Sequence, residues 1–181
     1  MTRILLVRHG ETDWNLTRRL QGHSDRPLNE TGREQARGLV AELADEELEA
    51  VYSSDLSRAQ ETARIAAEAR GLDVTALPEL RERHFGSWEG LTDEEIHERF
   101  PEEVADGVLG DGESRDELDR RILRALSRIA DEHPDATVLV VSHGGPLRAV
   151  LRHCGIAGVD RIANCHVLRL EAVEGDLREI D

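Results

Sequence analysis

The fold follows from two stretches of sequence, ILLVRHG at residues 4–10 and VLVVSHGG at residues 138–145. Each begins with four apolar residues, which is typical of a strand buried on both faces. Each ends in a histidine followed by glycine. Because open α/β sheets bind ligands at the carboxyl ends of their parallel strands, we expect His9 and His143 to meet at one sheet edge, with Arg8 beside the first.

Further strands and helices alternate along the chain. Strands are predicted at residues 3–8, 50–53, 74–77, 137–142 and 166–171, with a weaker one at 177–180 after the turn Glu174-Gly175-Asp176. Capping boxes at Thr31, Thr92 and Ser114 predict three helices, Ser54 and Asp55 predict the start of a fourth over 56–70, and a fifth begins at 144–146. This alternation predicts an α/β fold with a mostly parallel sheet and helices on both faces. The length fits one domain over residues 1–181.

Composition limits the partners. The formal net charge is −15, and all 23 basic residues are arginine, which is compatible with a GC-rich genome or with adaptation to high salt. Such an acidic surface disfavours binding to nucleic acid and to anionic membranes. The sequence contains no long apolar run and begins directly with a strand, so we expect a cytoplasmic protein. Cys154 and Cys165 have no metal-site or disulfide spacing, and we expect free thiols.

The motif Arg8-His9-Gly10 has the residue types that phosphoryl transfer to an enzyme needs. An imidazole is unprotonated near neutral pH and can act as a nucleophile. Arginine binds phosphate oxygens bidentately and stabilises the charge of the transition state. Glycine next to the histidine would let a phosphate approach the backbone. An isolated Arg-His-Gly is also compatible with a purely structural strand end.

Three other motifs add polar groups at similar positions. Arg58 is predicted in the first turn of a helix, where it can reach an anion at the sheet edge. Glu82 is a candidate general acid, because a carboxyl group beside a phosphate keeps its proton more readily; His84 is an alternative. His143 and Gly144 lie at a helix N-terminus, which favours anions. Each residue alone is also compatible with a structural role: Arg58 as a surface arginine, Glu82 as a salt-bridged glutamate and His143 as a buried histidine. Their coincidence in one chain favours a phosphate site.

Together these motifs resemble the histidine phosphatase superfamily, the phosphoglycerate mutase-like or RHG proteins. The resemblance extends over nearly the whole chain and rests on residues 8–12 with Asn15, 21–25 with Pro27 and Leu28, 53–59, 81–90, 112–114 and 142–145. It implies a three-layer α/β/α sandwich of the phosphoglycerate mutase-like type.

The resemblance also implies roles for individual residues. His9 would be the nucleophile that becomes phosphohistidine, and Glu82 the proton donor and later the base. Arg8, Arg58 and His143 would bind the phosphate, and Asn15, Gln21, Gly22 and Gly144 would contribute to substrate binding. The implied reaction uses no metal and no cofactor. Arg18, Arg19, Arg26 and His84 could contact the remainder of the substrate or be solvated.

Three functions are compatible with this pattern. The first is a metal-independent phosphomonoesterase that acts on a small phosphorylated metabolite. The second is a cofactor-dependent phosphoglycerate mutase, which is disfavoured because the chain is short and the segment from Gly90 to Gly112 is acidic. The third is a non-catalytic phospho-ligand binding protein on the same fold. A monomer and a homodimer are both compatible with the sequence.

Overall fold

The computed structural model describes residues 1–107, 109–159, 161–173 and 176–180. The predicted turn at Glu174 and Gly175 lies outside these ranges. The strands are β1 (Thr2–Arg8), β2 (Leu48–Ser53), β3 (Val74–Ala76), β4 (Thr137–Ser142), β5 (Val167–Val173) and β6 (Asp176–Glu179). The helices are α1 (Asp13–Leu16), α2 (Glu30–Glu42), α3 (Ser57–Glu68), α4 (Asp93–Arg99), α5 (Pro101–Asp106), α6 (Arg115–Glu132) and α7 (Gly144–His153).

The six strands form a single sheet in the order β3-β2-β4-β1-β5-β6. The pairs β2–β3, β2–β4 and β1–β4 are parallel, whereas β5 is antiparallel to both β1 and β6. Five strands therefore share one direction, which confirms the predicted mostly parallel sheet. The strands β1 and β4 are central neighbours, with Arg8 paired opposite Ser142. That register brings His9 and His143, the next residue of each strand, to the same edge.

Alternate residues of the central strands contribute to two separate apolar cores. In β1, Ile4 and Leu6 pack with α6 and α7, while Leu5 and Val7 pack with α2 and α3. All four side chains are 0% exposed. The helices therefore cover both faces of the sheet, and the expected α/β/α sandwich is confirmed.

Most predicted helix ends agree with the structure, and two do not. Thr92 and Ser114 form the predicted capping boxes. The predicted box at Thr31 is wrong, because α2 begins earlier and the Asn29 side chain accepts the hydrogen bond from the amide of Gly32. Ser54 and Asp55 do not cap α3 itself; instead the side chain of Asp25, from a distant loop, accepts hydrogen bonds from Ser57.

The segment from Phe100 to Glu113 contains the short helix α5. Pro101 occupies its first turn, where the missing N–H costs nothing. Cys154 and Cys165 are free, as predicted. Within the described ranges, no helix is both long and apolar enough to cross a membrane.

Candidate active site

His9 lies immediately after β1 with only 3% of its surface exposed. Its Nδ1 lies 2.6 Å from the carbonyl oxygen of Gly10, which indicates that Nδ1 carries the proton and donates it there. Burial, followed by the positive charges of Arg58 and Arg8, lowers the pKa of His9 well below 6.5. The imidazole is therefore neutral at physiological pH, and its Nε2 has a lone pair available for attack.

The second histidine, His143, caps α7 and is completely buried. Its ring centroid lies 5.1 Å from that of His9, so the two imidazoles meet as the strand ends predicted. The Nε2 of His143 lies 2.8 Å from the hydroxyl of Ser54, and that hydroxyl also accepts a hydrogen bond from the amide of Leu56. The Ser54 hydroxyl can then donate to Nε2, which leaves the proton of His143 on Nδ1. Burial and the nearby Arg58 lower the pKa of His143 well below 6.5.

Two arginines, the buried Arg58 and the partly buried Arg8, supply fixed positive charge. Arg58 is 0% exposed, and its terminal nitrogens donate to the carbonyls of Ser24 at 2.9 Å and Gly22 at 2.8 Å. Arg8 donates in the same way to the carbonyl of Ile162. Burial lowers the pKa of Arg58 to about 10 and lowers that of Arg8, yet both remain protonated at neutral pH. Backbone carbonyls thus orient both guanidinium groups without neutralising them.

Three buried nitrogen atoms around His9 have no hydrogen-bond partner among the described residues: Arg8 Nε, Arg58 Nε and His143 Nδ1. Leaving a buried polar group unpaired costs about 1–3 kcal/mol, so three in one place require an explanation. All three can act as donors. An anion bound next to His9 would satisfy them together.

The carboxylate of Glu82 lies opposite these donors, at the N-terminus of α7. It accepts hydrogen bonds from the amide of Gly145 at 3.0 Å and from the amide of Arg83 at 2.8 Å. Glycine at position 145 leaves room for this carboxylate, since a Cβ atom there would displace Glu82 Oε1. A Cβ atom on Gly144 would lie 3.9 Å from Glu82 Oε2 and 3.7 Å from Arg8 Nε, so the carboxylate and the guanidinium face the same space.

Asn15 and Gln21 present side-chain amides to that space. Thr12, which is completely buried, donates its hydroxyl to Gln21 Oε1 at 2.9 Å and its amide to Asn15 Oδ1 at 3.0 Å. Because the oxygens are engaged with Thr12, the NH₂ groups are left to face a ligand. Sequence patterns alone did not indicate these two positions, and only the family resemblance did.

Most of these groups border one cavity of about 180 Å³, whereas His143 is completely buried and is absent from the cavity lining. Its lining includes Arg8, His9, Asn15, Gln21, Arg58, Glu82 and Gly144 of the predicted site residues. In the described part of the chain, no group of three or more His, Cys, Asp and Glu side chains is arranged to hold a metal ion.

Some residues that were predicted to contact the substrate lie outside the cavity or have another role. Gly22 is not part of the cavity lining; it adopts a φ of +51°, and its carbonyl orients Arg58. Gly10 packs against the backbone of Gly32 rather than leaving room for a phosphate. His84 contacts His23 with ring centroids 4.8 Å apart and ring planes tilted by 52°, and Glu82 rather than His84 borders the cavity.

Of the three arginines expected near the substrate, one borders the cavity and two do not. Arg19 borders the cavity, although it also forms an ion pair with Glu95 at 2.7 Å. The Arg26 guanidinium lies 5.0 Å from the centre of the Trp14 ring. Arg18 lies outside the cavity and is exposed.

Several contributing residues were missed by sequence reasoning. Arg148 and Arg161 border the cavity, and Asn164 donates to the carbonyl of His9 at 2.9 Å. Arg148 lies four residues after Gly144, a spacing that places it on the same face of α7 and could have indicated it. No sequence pattern pointed to Asn164, because its contact depends on the chain returning from β4 to β5.

Comparison with known proteins gives a consistent result. The profile of the histidine phosphatase superfamily (branch 1) matches residues 4–178. The chain is 42% identical to a metal-independent phosphoserine phosphatase of Arabidopsis thaliana, over 92% of this chain and 75% of that protein. It is 40% identical to phosphoglycerate mutase-like protein 4 of the same plant, over 96% of this chain and 80% of that one.

The solved structure of YhfR from Bacillus stearothermophilus superposes with a TM-score of 0.91 at 33% sequence identity. The superposition covers 99% of this chain and 95% of that chain. The sheet and its helices are thus shared along the whole length of both proteins.

Proposed function

The chain belongs to the histidine phosphatase superfamily, and on that premise we propose that it hydrolyses small phosphomonoesters through a phosphohistidine at His9. One observation carries the assignment of residues: three buried donors without partners surround a neutral imidazole. A phosphate group is the anion whose three oxygens fit this arrangement.

In the first step, the substrate phosphate accepts hydrogen bonds from Arg8, Arg58 and His143. The amides of Asn15 and Gln21 are in place to add further donors. His9 Nε2 attacks phosphorus, so the new P–N bond forms as the P–O bond to the alcohol breaks. The fixed donors stabilise the charge that spreads over the phosphate oxygens in the transition state.

Glu82 supplies the proton in this step. The departing alkoxide takes the proton of the Glu82 carboxylic acid and leaves as an alcohol, and Glu82 becomes a carboxylate. The amides of Gly145 and Arg83 hold that carboxylate in position. Its side chain is partly exposed and borders the open cavity, where the leaving alcohol must pass.

In the second step, water clears the phosphoenzyme. The Glu82 carboxylate takes a proton from a water molecule as the water oxygen attacks phosphorus. The P–N bond breaks, its electron pair returns to His9 Nε2, and inorganic phosphate leaves. Glu82 is again protonated, so the cycle closes.

The surroundings of the cavity favour a phosphatase over a mutase. A mutase must hold a phosphoglycerate near a phosphoenzyme and exclude water. Here the segment after Gly90 forms the short helices α4 and α5, and no residue of these two helices borders the cavity. They therefore do not shield a phosphoenzyme at His9 from water.

The test is hydrolysis of p-nitrophenyl phosphate in the presence of EDTA. The wild type is expected to turn over, and the His9→Ala variant to lose about 10³-fold or more in kcat. His97→Ala is the matched control, because His97 is an exposed histidine on α4. Undiminished turnover in His9→Ala would contradict the proposal, and tight phosphate binding without any turnover by the wild type would favour a binding protein.

A further inference from the structure

A second cavity of about 390 Å³ adjoins the active-site cavity. The two share walls, because Phe85 and Arg148 border both. Four arginines line this second cavity, at positions 83, 115, 148 and 152. A group attached to a phosphate in the active site therefore lies next to this second cavity.

The charge of this second cavity is opposite to that of the molecule. The chain has a net charge of −15, yet the described lining contains four arginines and no acidic residue. Over the residues that the structure describes, Arg152 is the one of the four that forms an ion pair, at 2.5 Å from Asp119. Among the described residues, Arg115 and Arg148 form no ion pair within 4.0 Å.

The arginines are held close enough to repel one another. Arg83 donates its Nε to the carbonyl of Glu113 at 2.7 Å, which fixes its guanidinium against the cavity wall. Burial and then the charge of Arg115 lower the pKa of Arg83. An anion between these groups would relieve the repulsion, as a bound phosphate would for the donors around His9.

The arginines of α7 extend away from the reaction centre in steps. Gly144, Arg148 and Arg152 follow at intervals of four residues, so they lie along one face of the helix. With a rise of about 1.5 Å per residue, Arg148 lies about 6 Å and Arg152 about 12 Å along the axis from Gly144. A second anion on the substrate would lie at a comparable distance from the transferred phosphate.

The remaining wall is apolar. Leu118 and Leu151 belong to the buried core, and Ile156 and Val159 pack against it. Together with Phe85 they offer a surface for a hydrocarbon or aromatic spacer. The cavity thus combines a place for a negative group with a place for the apolar part that carries it.

We propose that this second cavity binds an acidic group of the substrate, and that the physiological substrate is a phosphomonoester with a second anionic group on an apolar spacer. The inference rests on the proposed phosphatase function and narrows its substrate class. Arg115 and Arg152 are specificity residues in this proposal, while Arg148 lies between the two anions.

The experiment compares two esters of similar shape, 4-carboxyphenyl phosphate and its neutral amide, 4-carbamoylphenyl phosphate. Their small difference in leaving group is the same for every enzyme variant, so a change in their ratio between variants reports on charge recognition. The wild type is expected to have a kcat/KM about tenfold higher for the carboxylate, as one charge-assisted hydrogen bond would give. In Arg115→Gln this ratio is expected to fall to near one, mainly through KM. Arg120→Gln is the matched control, because Arg120 is exposed on the same helix and is absent from the cavity lining.

The outcomes separate this inference from the proposed function. A wild type that hydrolyses p-nitrophenyl phosphate but does not prefer the carboxylate overturns only the inference. So does Arg115→Gln if it slows both esters equally. If the wild type hydrolyses no ester, the phosphatase proposal fails, and calorimetric binding of the two esters to His9→Ala still decides whether the cavity selects the acid.

Discussion

At the scale of single residues, the site depends on which atoms are engaged by protein and which are left free. His9 Nδ1 donates a hydrogen bond to a backbone carbonyl, which leaves Nε2 free to react. The terminal nitrogens of Arg8 and Arg58 also donate to carbonyls, which leaves Nε of each arginine free to bind a ligand. Motifs predicted the residue types, because strand ends and helix starts have sequence signals. The partners that orient them, such as Ser54 and Asn164, follow from tertiary contacts that no local pattern encodes.

Ser54 orients His143, and its removal tests that positioning. Ser54→Ala leaves His143 Nε2 without its donor, so the ring can change tautomer and lose its proton on Nδ1. We expect kcat for p-nitrophenyl phosphate to fall about tenfold and the inhibition constant of inorganic phosphate to rise.

The control for Ser54→Ala is Ser53→Ala, which removes a neighbouring buried hydroxyl that donates to the Ser54 carbonyl. Both variants should lose about 1 kcal/mol of unfolding free energy, and only Ser54→Ala should lose activity. Equal activity loss in the two would assign Ser54 a merely structural role.

The acid role of Glu82 predicts a dependence on the leaving group. Glu82→Gln keeps the shape of the side chain but has no proton to give. We expect kcat/KM for an alkyl ester such as phosphoserine to fall about 10²-fold, and that for p-nitrophenyl phosphate far less, since nitrophenolate leaves without protonation. Glu79→Gln, at an exposed ion pair, is the control. Equal slowing of both esters would show that Glu82 is not the general acid.

At the scale of elements, the central strands and the capping boxes were predictable, because their signals are local. The strands β1 and β4 agree with the expected ranges within one residue. The start of α2 was not predictable in this way, since Thr31-x-x-Glu34 has the form of a capping box while Asn29 makes the bond. Asn29 also donates to the Glu11 side chain at 3.0 Å, a contact with the loop after β1 that decides between the two caps.

Substitutions at Asn29 and at Thr31 test which of the two residues caps α2. Asn29→Ala should lower the free energy of unfolding by about 1 kcal/mol, because the amide of Gly32 loses its acceptor. Thr31→Ala should change it by less than about 0.5 kcal/mol, since Thr31 lies within the helix and is exposed. Urea denaturation measures both. A larger loss of unfolding free energy in Thr31→Ala than in Asn29→Ala would show that Thr31 caps the helix, as the sequence pattern predicts.

At the scale of the whole molecule, the sheet order assembles a site from segments far apart in sequence. Pairing of β1 with β4 joins His9 to His143, and the loop before β5 brings Ile162 and Asn164 to the same edge.

Burial of two histidines beside two arginines makes the stability of the fold depend on pH. Their pKa values lie below 6.5 in the folded protein, so the unfolded chain binds more protons as the pH falls below 6.5.

The buried histidines therefore predict a loss of stability in mild acid. Their contribution is fully present above pH 6.5 and declines as the pH falls below it, by up to about 1.4 kcal/mol per pH unit for each histidine. Urea denaturation from pH 7.5 to 5.5 should show this slope. The double variant His9→Gln, His143→Gln should lack it, which separates the effect from the titration of carboxylates. Parallel slopes in the two proteins would show that these histidines are not held neutral.

Formation of a phosphohistidine at His9 is tested most directly by trapping it. The wild type is mixed with ³²P-labelled substrate and quenched within milliseconds in alkaline detergent, in which a phosphohistidine survives. We expect label on the chain, up to one phosphate per molecule, stable in alkali, lost in acid, and located by peptide mapping at His9. Label that is absent from the wild type during turnover, or that persists in His9→Gln, would contradict this mechanism.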